Sequence, residues 1–135
     1  MATSRHHLLV IDDEPFIGRI IDMQFARGPF RVSTAADGPS ALAFLRGNPD
    51  VELVLLDVNL PGRSGLDLME EARREPGLSH VTWVVLTATG QQAHLERART
   101  LGVAAVVTKP FSPSQLFRQV CALLGEPAGA AEESA

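Results

Sequence analysis

The sequence predicts an α/β fold built on a parallel sheet of five strands, and three observations carry that prediction. Short strand-like runs begin near Leu8 (LLVID), Phe30 (FRVSTA), Val51 (VELVLLD), Val81 (VTWVVLT) and Val103 (VAAVVTK), 21 to 30 residues apart. A helix with two turns needs about that much chain to carry one strand to a parallel neighbour. The intervening segments are longer and amphipathic. Finally, the first, third, fourth and fifth runs are apolar almost throughout, as strands covered on both faces are, whereas the second is mixed and reads as a sheet edge.

The helices carry start signals in order. Pro15 follows an acidic cluster at the head of the first, Asp37 can cap the second ahead of Pro39, and Ser64 can cap the third. The fourth begins around Gly90 with the polar run QQAHLERAR, and Ser112 precedes Pro113 at the head of the last. In that last helix Leu116, Val120, Leu123 and Leu124 recur at helical spacing, so they form an apolar stripe for core packing. Trp83 and Cys121 read as core residues. Residues 1–124 make one domain, and GEPAGAAEESA (125–135), without periodicity, reads as a flexible tail.

Composition excludes several classes of function. The net charge of −4 argues against a partner that is nucleic acid or an anionic membrane surface. A single cysteine permits neither an intrachain disulfide nor a multi-thiolate metal site. His6 and His7 are placed ahead of the first strand and His80 and His94 far apart, so no histidine metal site is expected. No apolar run exceeds five residues, which fits a cytoplasmic protein without a membrane span.

The chemistry collects where the strands end. Asp12 and Asp13 follow the first strand, Asp57 ends the third, Thr87 the fourth and Lys109 the fifth. Open α/β sheets bind ligands at the carboxyl ends of their strands, and in the order 2-1-3-4-5 the crevice lies between strands one and three. Asp57 therefore faces Asp12 and Asp13. Three carboxylates together repel one another and call for a cation; an all-oxygen set without His or Cys suits Mg²⁺, or Mn²⁺. Lys109 adds a compact positive charge and Thr87 a hydroxyl donor. Such a set is arranged for phosphoryl chemistry, with Asp57 as the nucleophile that forms an aspartyl phosphate.

The motifs IDDEP (11–15), LLDVNLPGRSG (55–65), LTA (86–88) and TKPF (108–111), in order and over nearly the whole chain, resemble the receiver domain of two-component response regulators. The resemblance implies a flavodoxin-like (βα)5 three-layer sandwich that takes a phosphoryl group onto Asp57 from a sensor histidine kinase or a histidine phosphotransfer protein. It further implies Asp12, Asp13, Asp57 and the Asn59 backbone carbonyl as Mg²⁺ ligands, and Thr87 and Lys109 as the residues that respond to the phosphoryl group. A cis Lys109–Pro110 bond is also implied, along with an output partner bound through helix four, strand five and helix five. With no output segment recognisable after residue 124, the chain resembles a stand-alone, chemotaxis-type receiver.

The chain departs from the usual pattern at Val106, where receivers often carry an aromatic residue, and at Arg63 and Ser64 in the loop after Asp57. Two other readings stand beside the main one. An interaction module that works without phosphorylation would keep the same fold. An aspartate-nucleophile phosphohydrolase would need an acidic proton donor two residues after the nucleophile, where this sequence has Asn59.

Overall fold

The computed structural model describes residues 5–88 and 90–126. Its main sheet holds β1 (His6–Ile11), β2 (Phe30–Ala35), β3 (Val51–Asp57), β4 (Thr82–Ala88) and β5 (Ala105–Lys109). All pairings in it are parallel, and the spatial order is β2-β1-β3-β4-β5, as the sequence predicts. Between and after the strands come α1 (Pro15–Phe25), α2 (Gly38–Gly47), α3 (Gly65–Arg73), α4 (Gln92–Thr100) and α5 (Pro113–Leu124). A two-rung antiparallel ladder, Asn59–Leu60 with Arg63–Ser64, links β3 to α3.

Alternation along the strands sorts the core into two layers. Leu8 and Val10 of β1, Leu53 and Leu55 of β3, and Val84 and Leu86 of β4 share one cluster with Ile17, Ile21 and Phe25 of α1 and Leu116, Phe117 and Val120 of α5. Leu9, Ile11, Val54, Leu56, Trp83 and Val85 point the other way, toward Leu42 and Leu45 of α2 and Leu66, Leu68 and Met69 of α3. The unbroken apolar run before Asp57 is thus a strand buried on both faces. Phe25, Phe30 and Phe117 meet edge to face, with centroids 5.1 to 5.6 Å apart.

The expected caps form. Asp37 accepts the Ser40 N–H, Ser64 the Leu66 N–H and Ser112 the Gln115 N–H.

Three expectations need correction. First, β5 is not covered on both faces: Ala105 and Val106 are half-buried and Thr108 is exposed, because the strand lies at the sheet's second edge. The apolar stripe of α5 runs through Leu116, Phe117, Val120 and Cys121, while Leu123, at its margin, is 39% exposed. Nor do His6 and His7 precede the first strand; they open it, and each has a carboxylate partner. As expected, α4 starts close to Gly90: the helix begins at Gln92, and Gly90 has a φ of 87°.

Gly125 closes α5 in the left-handed conformation, and the Glu126 N–H donates to the Cys121 carbonyl. Residues 127–135 of the expected tail lie outside the described residues. Among the described residues no helix is long and apolar enough to cross a membrane.

Candidate functional site

The third strand delivers Asp57 to the carboxyl edge, and the chain then turns back at once. Val58 donates to the Leu86 carbonyl, the ladder turns at Pro61-Gly62, and the Gly65 N–H returns to the Val58 carbonyl at 2.6 Å. The first residue of α3 therefore sits against the Asp57 backbone. A Cβ on Gly65 would lie 2.2 Å from the Asp57 carbonyl oxygen, so this close approach is open to glycine alone. Sequence reasoning passed over Gly65; its place just after the Ser64 cap was the available signal.

Asp12, Asp13 and Asp57 come together as predicted, each offering a carboxylate oxygen within 4.8 Å of the others. Asp12 and Asp57 are buried, and Asp13 is exposed. One Asp12 oxygen accepts the Glu14 N–H at 2.9 Å, and one Asp57 oxygen accepts the Asn59 N–H at 3.0 Å. The other two face Lys109, whose Nζ is 2.8 Å from Asp12 Oδ2 and 3.3 Å from Asp57 Oδ2. Glu14, also unassigned from sequence, lies 3.4 Å from the same ammonium. The bond between Lys109 and Pro110 is cis, as the resemblance implied.

Electrostatics follow from this packing. Burial raises the Asp57 pKa above the ordinary carboxylate value, and the Asp12 charge adds to the rise; the Asn59 N–H and Lys109 only partly oppose them. Burial works against the Lys109 charge as well, but the hydrogen bond to Asp12 and the charges of both aspartates outweigh it and raise its pKa. One ammonium thus serves carboxylates that between them carry more negative charge than it can offset.

Thr87 is buried near the end of β4, and among the described residues its hydroxyl has no hydrogen-bond partner. A buried hydroxyl left unpaired costs free energy, which a polar group bound beside it would recover. Two hollows flank the cluster. One of about 640 Å³ runs past Asp12, Asp13, Arg19 and Ser40, and one of about 410 Å³ past Asp13, Asn59, Arg63 and His94. The donor set fits a hard divalent ion: all-oxygen, anionic, partly buried and open to solvent through Asp13.

A doubly wound parallel sheet with an acidic cluster and a lysine at its carboxyl edge is an α/β domain with a candidate site for a cation and a phosphate group. The chain matches the family described as the response regulator receiver domain over residues 8–121, and it belongs to that family. Receiver domains are signalling domains, and they bind a divalent metal at an acidic pocket. Over 118 residues, 87% of this chain and 50% of the other, it is 33% identical to the response regulator SaeR of Staphylococcus aureus. The phosphorylated cyanobacterial phytochrome response regulator RcpA superposes with a TM-score of 0.74 at 29% identity, covering 88% of this chain and 91% of that one. The chemotaxis response regulator CheY4 of Vibrio cholerae shares the fold, with a TM-score of 0.80 at 23% identity over 88% and 98% of the two chains. The chain spans about half the length of the curated relatives it matches.

Proposed function

We propose that this receiver accepts a phosphoryl group on Asp57 in a reaction dependent on a divalent cation, Mg²⁺ by preference and Mn²⁺ as a substitute. The observation that carries the reading is the gathering of Asp12, Asp13 and Asp57 from two strand ends around one lysine. When bound, the cation offsets the carboxylate charge and that of the phosphoryl oxygens. Asp12, Asp13, Asp57 and the Asn59 carbonyl are its proposed ligands.

The remaining work belongs to the chain itself. An Asp57 oxygen attacks phosphorus, forming an O–P bond as the donor's bond to phosphorus breaks; the leaving imidazole, or the carboxylate of an acyl phosphate, departs with the electron pair. Lys109 is already within reach of Asp57, so it can pair with the anion that forms. The unpaired Thr87 hydroxyl can donate to a phosphoryl oxygen, drawing the loop after β4 inward.

The donor we assign is a sensor histidine kinase or a histidine phosphotransfer protein. The output surface we assign is formed by α4, β5 and α5, where Val106 takes the place of a switching aromatic. Among its described residues, α4 buries only Ala98 and is tied to α3 through Arg97, 2.5 Å from Asp67 and 2.6 Å from Glu70. Exposed ion pairs of that kind contribute roughly 0–1 kcal/mol each, so shifting α4 costs little.

Acetyl phosphate tests the reading. With Mg²⁺ the intact mass is expected to rise by one phosphoryl group, and with excess chelator it is expected to stay unchanged. Uptake that ignores the chelator would contradict the proposal. Unmodified protein under both conditions would favour the phosphorylation-independent interaction module.

A further inference from the structure

We propose that His6 is a protonation-dependent clasp that fastens the C-terminal end of α5 to the foot of the sheet, at the opposite edge from Asp57. Its Nδ1 lies 3.0 Å from both carboxylate oxygens of Glu52 on β3, and its Nε2 lies 2.7 Å from Oε2 of Glu126, just past the α5 cap. A neutral imidazole carries a single N–H and can donate to only one of the two carboxylates. Both contacts at once therefore require the imidazolium.

The backbone is tied at the same place. The Glu126 N–H donates to the Cys121 carbonyl at 2.8 Å, so the clasp and the helix cap act on one residue. The charged groups facing the ring are Glu52 from β3 and Glu126 from the end of α5. From β2 the ring meets the uncharged Phe30, with centroids 5.6 Å apart. Arg31 and Asp50 are paired with each other at 3.0 Å beside His7. The preceding residue, Arg5, is exposed.

Burial alone would lower the His6 pKa, but the hydrogen bonds to Glu126 and Glu52, and the charges of both, outweigh it and raise it. A histidine with a raised pKa in the folded state gives stability that is fully present below its unfolded value and is lost as the pH rises through the folded value. On deprotonation one ring lone pair faces a carboxylate. Glu52 is fixed on a strand and held by both oxygens, so Glu126 is the partner that leaves.

Nuclear magnetic resonance on the full chain tests the clasp by following the His6 ring and the exchange protection of the Gly125 and Glu126 amides across neutral pH. The ring is expected to titrate above the ordinary histidine value. Amide protection, corrected for intrinsic exchange, is expected to fall about two- to fivefold with the same midpoint, as suits a half-exposed ion pair. Glu126→Gln is expected to lower the midpoint and flatten the protection profile, while Asp50→Asn, which removes a partner of His7, leaves both in place. A His6 midpoint at or below the ordinary value, or one that Glu126→Gln does not move, would overturn the proposal.

Discussion

The Asp57→Asn protein is expected to take up no phosphoryl group and, in chelator, to melt a few degrees above the parent. Asparagine keeps the shape of the side chain but removes both the nucleophilic oxygen and the buried charge. The sign of the stability change follows from the raised Asp57 pKa. An acid that is easier to protonate when folded stabilises the fold below its unfolded pKa, and that contribution disappears as the pH rises through the folded value. At neutral pH the metal-free parent therefore holds the Asp57 charge at a cost that the variant avoids. Added Mg²⁺ should shrink the difference, because a cation that binds only the folded parent stabilises it by mass action. Thermal melts at several Mg²⁺ concentrations check this, and a variant less stable than the parent in chelator would contradict it.

Among glycine-to-alanine changes at the described residues, Gly65→Ala is expected to be the most damaging, destabilising the fold by about 3 kcal/mol. The added Cβ would meet the Asp57 carbonyl oxygen at 2.2 Å, its carbonyl carbon at 3.1 Å and a Leu56 methyl at 3.2 Å. Two of those three atoms are backbone, so relief requires α3 to move away from β3. That movement breaks the bond from the Gly65 N–H to the Val58 carbonyl and turns the Asp57 side chain out of register with Asp12. Phosphoryl uptake should fall along with stability. Gly47 provides the control: a Cβ there meets nothing within 4 Å, and alanine at the end of α2 should stabilise by about 0.5–1 kcal/mol. Urea denaturation of the two variants separates the steric clash from the general effect of losing a glycine.

Much of this was legible because the physics that sets it is local. The runs that became β1, β3 and β4 are buried on both faces along most of their length and are apolar there, so composition located them. Asp37, Ser64 and Ser112 cap helices through atoms two or three residues away, so spacing was enough. The site was legible for a related reason. Once the strands are ordered, Asp12, Asp13, Asp57 and Lys109 share one edge without any side-chain detail.

What stayed hidden depends on contacts distant in sequence. Edge strand β5 kept an apolar run because Val107 and Ala105 pack on one core layer and Val106 partly on the other, and nothing in the run tells which neighbour is missing. Leu123 looked like a stripe residue because it stands two turns after the buried Leu116, and spacing alone does not show that the helix margin is left uncovered there. The His6 contacts span 46 and 120 residues, beyond any local pattern.

The account rests on one covalent bond, and borohydride reduction tests it most directly. Reduction turns an aspartyl phosphate into homoserine, which survives digestion and can be located by peptide mass. After treatment with acetyl phosphate and Mg²⁺, homoserine is expected at position 57 and nowhere else. Homoserine at position 12 or 13, or a phosphoryl group that resists reduction because it sits on another kind of side chain, would contradict the assignment of Asp57.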